Sequence, residues 1–166
     1  ADEYDLSGIG IRETVNRPYT MRHSYEYLRK DYTVSRLGET VTQKKERWDR
    51  FRGAYKDGYA VFCGASLPEG MPKEWFNEMG SVYTLLEIPM FRKQEFIGCI
   101  DFCDAYENRE WDSNEIHTLK MFGRILTDFL FGMRALEQTT ERVELLQERD
   151  SLTGLYQYNV FLKKLQ

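Results

Sequence analysis

The fold of this chain is decided by two apolar runs, Tyr83-Thr-Leu-Leu-Glu-Ile-Pro-Met-Phe91 and Phe96-Ile-Gly-Cys-Ile-Asp-Phe102. Both have the length and the β-branched and aromatic residues of buried strands. The residues between them, Arg92 to Glu95, are all polar, which is typical of a hairpin tip. The sequence therefore predicts two neighbouring antiparallel strands.

Alternation along the second run predicts two unlike faces of a sheet. One face is apolar and suits packing under a helix: Phe96, Gly98, Ile100 and Phe102. The other face, with Cys99 and Asp101, should line any ligand cavity. The candidate ligand-binding residues lie on this face, on neighbouring strands and on a short helix that could form a lid: Tyr59, Val61, Cys63, Trp75, Phe76, Glu87 and Asp101. An alternative stays open, in which side chains of the protein close this face.

The amino-terminal third predicts a second hairpin. Strands from Leu6 to Thr14 and from Tyr19 to Arg29 flank an Asn and a Pro, which suit a tight reversal. Alternation in the second of these strands places five side chains on one face: Tyr19, Met21, His23, Tyr25 and Tyr27. We expect the polar stretch from Asp31 to Thr42 to be a loop.

The residues between the hairpins alternate between helix and strand patterns. A helix is predicted from Gln43 to Tyr55. Its aromatic residues Trp48, Phe51 and Tyr55 form a stripe surrounded by basic residues, and we interpret this stripe as a core face rather than a nucleic-acid-binding surface. A strand from Tyr59 to Ala65 and a short helix from Met71 to Met79 follow. With about five strands and flanking helices, the predicted fold class is α+β with an antiparallel sheet.

A long helix follows the sheet. Asp112 precedes Glu115 by three residues, a capping-box spacing, and opens a run without Pro. Apolar residues then recur at alternating steps of three and four, as in a coiled coil: Leu119, Phe122, Leu126, Phe129, Met133, Leu136, Thr140 and Val143. An earlier helix of the same chain could cover this heptad seam. Because the seam outlasts the globular segment, we expect a homodimer stalk formed by Phe129, Met133, Leu136, Thr140 and Val143.

Composition restricts the classes of function. The 166 residues have a net charge of −4, which argues against a general binder of nucleic acids or anionic membranes. Three cysteines are too few for a disulfide scaffold, the acidic start differs from a signal peptide, and no apolar run reaches bilayer length. We therefore expect a cytoplasmic protein without membrane contact. Neither His23 nor His117 has metal-site spacing to a cysteine or carboxylate, so no metal is predicted.

The order of three segments resembles the carboxyl half of a GAF domain. They are the two runs quoted first and Arg109-Glu-Trp-Asp-Ser-Asn-Glu-Ile116, matching a strand with Pro, a strand with Ile-Gly and an acid-capped helix. The resemblance implies a sensory or regulatory domain. The Asn-Lys-Phe-Asp-Glu pattern of cyclic-nucleotide-binding members and a bilin-attachment cysteine are not evident, so the cofactor is unknown.

A second resemblance follows the stalk. Asp150-Ser-Leu-Thr-Gly-Leu155 is similar to the entry of a GGDEF domain, although Gln157 and Tyr158 replace the Asn and Arg of that signature. The resemblance implies an output domain in cyclic di-GMP signalling. Because the chain ends at Gln166, before the catalytic loop, we expect this chain to have no catalytic residues and no enzymatic activity.

The predicted organisation has three parts: a sensory core at 1–112, the long helix at 113–148, and the start of a GGDEF-like domain at 149–166. The predicted function is to relay ligand or partner binding through the dimer stalk to the output domain. Two alternatives remain. One is a constitutive dimerisation platform without a ligand, and the other is a cysteine-based reductase of free methionine sulfoxide.

Overall fold

The structure, a computed structural model, describes residues 6–31, 35–55, 57–63, 84–105 and 109–148. Within them an antiparallel six-stranded sheet has the order β3-β2-β1-β6-β5-β4. The strands are β1 (Gly8–Thr14), β2 (Thr20–Leu28), β3 (Thr40–Thr42), β4 (Ala60–Cys63), β5 (Thr84–Arg92) and β6 (Glu95–Asp104). Two helices, α1 (Lys45–Gly53) and α2 (Ser113–Glu148), accompany the sheet. The predicted α+β antiparallel architecture is confirmed.

Both predicted hairpins are present. β1 pairs with β2, and β5 pairs with β6 through a two-residue tip at Lys93 and Gln94, which both have positive φ. That backbone matches the twist of the flanking strands. A third pairing, of β1 with β6, joins the hairpins at the centre of the sheet. The sixth strand, β3, lies at the end of the stretch that the sequence predicted as a loop, where it pairs with β2.

One face of the sheet, called the α1 face, packs against α1. The ring of Phe96 lies 5.7 Å from that of Trp48 and 6.0 Å from that of Tyr55, between ring centroids. Trp48 and Tyr55 are buried in a cluster with Phe62 and Leu85. The aromatic stripe of the predicted helix is therefore a core face at these two positions.

Phe96 does not lie on the face that the sequence predicted. The register of β5 with β6 shifts between Met90 and Phe91, so Phe96 pairs with Phe91 while Gly98 pairs with Met90. This bulge leaves Ile97 as the extra residue and turns Phe96 to the α1 face, away from Phe102. Simple alternation fails at that point.

A second bulge corrects the predicted face of β2. Arg12 pairs with His23, whereas the neighbouring Ile11 pairs with Tyr25, so Ser24 is the extra residue. Adjacent positions on β1 face opposite sides of the sheet. Tyr25 and Tyr27 therefore lie opposite Met21 and His23, not beside them.

The other face, called the α2 face, carries the start of α2. The Phe102 and Phe122 rings are 6.3 Å apart between centroids, and a Cβ added to Gly123 would lie 3.0 Å from Ile88. The carboxylate of Asp112 accepts hydrogen bonds from the backbone N–H groups of Asn114 and Glu115. The predicted N-cap is confirmed, since these bonds satisfy two unpaired donors of the first turn.

The chain divides into two compact units after Arg124, within α2. In the second unit α2 continues to Glu148, and several of its large apolar side chains are exposed: Ile125, Phe129, Met133, Leu136 and Val143. No described helix is long and apolar enough to cross a membrane. The predicted short helix at Met71 to Met79 and the GGDEF-like residues 149–166 lie outside the described residues.

Candidate functional site

A buried charge cluster lies on the α1 face, across the three strands β1, β6 and β5. Arg12 binds Asp101 with two nitrogens, Nε to Oδ2 at 2.5 Å and Nη2 to Oδ1 at 2.8 Å. The same Nη2 donates to Oε1 of Glu87. Such paired bonds fix the guanidinium plane. The three side chains are buried, with Glu87 fully removed from solvent.

Tyr55 completes this charge cluster from the residues that follow α1. Its hydroxyl donates to Oε2 of Glu87 at 2.7 Å. Both oxygens of Glu87 are therefore hydrogen-bonded. Burial nevertheless raises the pKa of Glu87 to about 7, an effect that Arg12 partly offsets. The cluster holds two carboxyl groups and one guanidinium, so protonation of Glu87 brings it to neutrality.

Two further titratable groups face the charge cluster. His23, opposite Arg12 on the neighbouring strand, has its pKa lowered to about 4 by burial and by the Arg12 charge. Burial also raises the pKa of the Cys99 thiol well above its ordinary value. His23 and Cys99 are therefore neutral at pH 7, because burial disfavours the charged form of each.

Potential metal ligands lie within this cluster. One ligand atom each from Glu87, Cys99 and Asp101 lies within 4.8 Å of the others. The guanidinium of Arg12 already binds both carboxylates, and the raised pKa of Cys99 disfavours the thiolate that a metal requires. The donor set therefore suits the arginine that it contains better than a metal ion.

The structure brings two of the seven candidate ligand residues together, Glu87 and Asp101. Val61 pairs with Leu86, which itself pairs with Phe102, so Val61 lies on the α2 face. By the same alternation Tyr59 and Cys63 share that face and are separated from the carboxylates. Trp75 and Phe76 lie outside the described residues.

Sequence reasoning missed Arg12, Tyr55 and His23. Arg12 lies 75 positions from Glu87 and 89 from Asp101, and only the central β1 to β6 pairing brings it between them. A charged residue in the otherwise apolar run Gly8-Ile-Gly-Ile-Arg12 was the available signal. A buried arginine needs carboxylate partners, and two carboxyl groups interrupt the runs of β5 and β6.

Comparison with known proteins identifies the fold. No protein-family model and no curated protein matches the sequence. Solved structures do match, among them the blue-light-absorbing GAF domain of PixJ from Thermosynechococcus elongatus, with 16% identity and a TM-score of 0.65 over 86% of this chain and 84% of that one. The GAF domain of a two-component sensor histidine kinase from Bacillus halodurans has 13% identity and a TM-score of 0.58, covering 80% of this chain and 86% of that one.

A third match is the phycocyanobilin-bound GAF domain of a cyanobacterial phytochrome, with 14% identity and a TM-score of 0.63 over 76% of this chain and 75% of that one. The chain therefore has the GAF fold. At such identities the likeness establishes the fold alone. The charge cluster lies on the sheet face where the sequence predicted a ligand cavity.

Proposed function

We propose that this chain is the regulatory module of a cyclic di-GMP signalling protein. In this proposal two copies associate through α2, and binding of a ligand or partner to the GAF-fold body changes how the paired helices meet a GGDEF output domain. Support comes from the GAF fold, from the continuation of α2 to Glu148, and from the Asp150-Ser-Leu-Thr-Gly-Leu155 motif that follows it.

One observation carries the dimer: the heptad seam of α2 is exposed in the single chain. Phe129 and Leu136 expose 60% and 63% of their surface, and Val143 exposes 46%. These residues recur every seven positions, with Met133 and Thr140 at the intervening steps. A stripe of this kind is stabilised when a second helix covers it.

Sedimentation equilibrium at tens of micromolar tests the dimer. We expect the wild-type chain to be dimeric and the double variant Leu136→Glu/Val143→Glu to shift toward monomer, because each change places a charge in a desolvated seam. The control Ala135→Glu/Gln138→Glu adds the same charge at exposed positions off the seam and should remain dimeric. A monomeric wild type, or equal association of both variants, would contradict the proposal.

The link to cyclic di-GMP is tested on the full-length protein. We expect it to form or bind cyclic di-GMP, because the motif after α2 resembles a GGDEF entry. Formation should fall in the Leu136→Glu/Val143→Glu variant, since two active-site halves must meet. If the full-length protein neither forms nor binds the dinucleotide, the proposed link to cyclic di-GMP is wrong. The proposed dimer is unaffected by that result.

A second candidate function is a constitutive dimerisation platform. It is favoured because Arg12 bridges the two carboxylates that the sequence assigned to a ligand, while Tyr55 binds Glu87. Thermal unfolding with a panel of nucleotides, amino acids and purines separates the two candidates. A ligand at 100 times its dissociation constant stabilises a regulatory module by about 2.7 kcal/mol. A platform shows no shift with any of them.

The reductase alternative receives little support from the described cysteines. Burial raises the pKa of Cys99 well above its ordinary value and that of Cys103 to about 12, whereas reduction of a sulfoxide needs a thiolate. Turnover of methionine sulfoxide that Cys63→Ser abolishes would nevertheless revive it.

A further inference from the structure

A cavity of about 450 Å³ lies on the opposite side of β5 from the charge cluster. Its walls are the turn at Asp57 and Gly58, the β5 segment from Ile88 to Phe91, and the first turns of α2. All of them belong to the first compact unit. The volume falls within the range of small-molecule sites. None of the five described residues that the sequence suggested for ligand binding lines this cavity.

The α2 wall of the cavity is basic. His117, Lys120 and Arg124 line it, and Asp57 is the one acidic residue among its described lining residues. Lys120 Nζ donates to the backbone oxygen of Asp57 at 2.7 Å and lies 5.3 Å from the centroid of the Tyr59 ring. The backbone oxygen and the Tyr59 ring that contact Lys120 are both uncharged. Within the described residues no carboxylate pairs with Lys120 or Arg124. In a chain of net charge −4, this cavity has a local excess of positive charge.

The remaining wall is apolar and open. Ile88 and Met121 line it beside the basic groups, and Met121 exposes 53% of its surface. β4 pairs with β5 only as far as Glu87, so in the described part of the chain Ile88 to Phe91 forms a sheet edge. Pro89 on this edge has no N–H group to leave unpaired. A flat apolar group that lies against Pro89 therefore buries no backbone donor at that residue.

Within the first unit, the cavity and the seam residues lie on different sides of α2. On a helix of 3.6 residues per turn, Lys120 and Arg124 are each about 200° from the seam residue Phe122. They are about 100° and 140° from Leu119, the other seam residue of this unit. A molecule in the cavity would therefore contact the helix without competing for the seam. It would also link α2 to the β5 edge.

We propose that this cavity binds a small organic anion with a flat ring, such as a mononucleotide or an aromatic carboxylate. Its anionic group binds Lys120 and Arg124, and its ring packs against Ile88 and Met121. Charge-assisted hydrogen bonds to fixed cations supply the preference for an anion. The role of this anion as the signal rests on the proposed function, whereas its binding does not.

Isothermal titration calorimetry on the purified chain tests the site with two matched pairs of probes, AMP with adenosine and 4-hydroxybenzoate with phenol. At least one anion should bind the wild type at least about tenfold more tightly than its uncharged partner, the equivalent of 1.4 kcal/mol. Lys120→Gln/Arg124→Gln should lose that tenfold preference. The control Arg22→Gln/Lys30→Gln removes the same charge at exposed positions of β2 and the turn after it, and should keep it.

The probe pair that shows the preference for the anion identifies its chemical class, a nucleotide or an aromatic carboxylate. Equal affinity of each anion and its uncharged partner, no binding of either anion to the wild type, or full binding to Lys120→Gln/Arg124→Gln would overturn the site. Sedimentation of the same samples separates this result from the proposed function. Anion binding to a chain that remains monomeric supports the site and contradicts the dimer, whereas a dimer without anion binding does the reverse.

Discussion

Arg12 lies between two buried carboxyl groups, and its removal would leave both without their cation. Breaking a buried ion pair by deleting one partner costs about 3–5 kcal/mol, more than its formation gains, because the remaining charges stay desolvated. We therefore expect Arg12→Met to lower the free energy of unfolding by about 3–5 kcal/mol in urea denaturation. Arg22→Met, on the exposed side of β2, should change it by less than about 0.5 kcal/mol.

The triple variant Arg12→Met/Glu87→Gln/Asp101→Asn separates charge from packing. It removes the uncompensated carboxylates together with the arginine, so it should recover much of the lost stability. If Arg12→Met alone costs no more than the Arg22 control, the cluster contributes little to the fold.

The raised pKa of Glu87 predicts a pH dependence of stability. Between the ordinary value of 4.5 and about 7, the folded chain keeps a proton that the unfolded chain has lost. The contribution of Glu87 is therefore full below pH 4.5 and is lost as the pH rises through 7, by up to about 3 kcal/mol. His23 has the opposite sign, because its lowered pKa makes stability rise between about pH 4 and 6.5.

Urea unfolding at pH 5 and pH 7.5 measures this dependence. From the lower to the higher pH, the wild type should lose stability relative to Glu87→Gln, which cannot titrate. The His23 contribution cancels in that comparison. Glu95→Gln, an exposed position at the start of β6, should track the wild type. A constant difference between the wild type and Glu87→Gln would show that Glu87 does not hold a proton in the folded chain.

At the level of elements, the sequence predicted which segments form strands and helices better than which way their side chains point. Period and turn residues are local, so both hairpins, α1 and the start of α2 could be found. The bulges at Ser24 and Ile97 lie within these hairpins, where the residue pattern does not show which residue stays unpaired, and they reverse the faces of Tyr25 and Phe96. A three-residue edge strand such as β3 carries too little pattern to detect.

One local signal of the second bulge was present in the sequence, because Gly98 interrupts an otherwise bulky strand. Its φ is +150°, and an added Cβ would lie 2.1 Å from the backbone oxygen of Arg12 and 2.9 Å from Cα of Glu13. Neither backbone atom can move without opening the β1 to β6 pairing. Gly98→Ala should therefore lower the free energy of unfolding by more than about 2 kcal/mol.

Gly132→Ala is the control, since a Cβ on that exposed helical residue meets nothing within 4 Å. It should stabilise the chain by about 0.5–1 kcal/mol through helix propensity. Chemical denaturation of both variants measures the contrast. Equal effects at the two positions would mean that the close approach at Gly98 is not maintained in solution.

For the whole molecule, the site was less predictable than the fold. Glu87 and Asp101 could be selected as polar residues on buried strands, but the strand order that places Arg12 between them involves residues far apart in sequence. The basic cavity combines a turn, a sheet edge and a helix. No local sequence pattern predicts that those three elements meet. The heptad seam on α2 is a local pattern and could be predicted from the sequence.

The orientation of the proposed dimer can be tested by cysteine cross-linking. In a parallel, in-register pair each seam residue faces its own copy, so both Phe129→Cys and Val143→Cys should form disulfide-linked dimers under mild oxidation. These positions lie two heptads apart, about 21 Å along a helix. An antiparallel pair can place at most one of them opposite itself.

The experiment uses a Cys63→Ser background, because Cys99 is buried and the pKa of Cys103 is raised to about 12. Gln138→Cys, exposed and off the seam, is the control and should cross-link slowly. Non-reducing gel electrophoresis reports the covalent dimer over time. Cross-linking at only one seam position would indicate an antiparallel pair, and equal rates at all three would contradict a seam-mediated dimer. A parallel pair alone would present two copies of a following domain on the same side, as an output that needs two active-site halves requires.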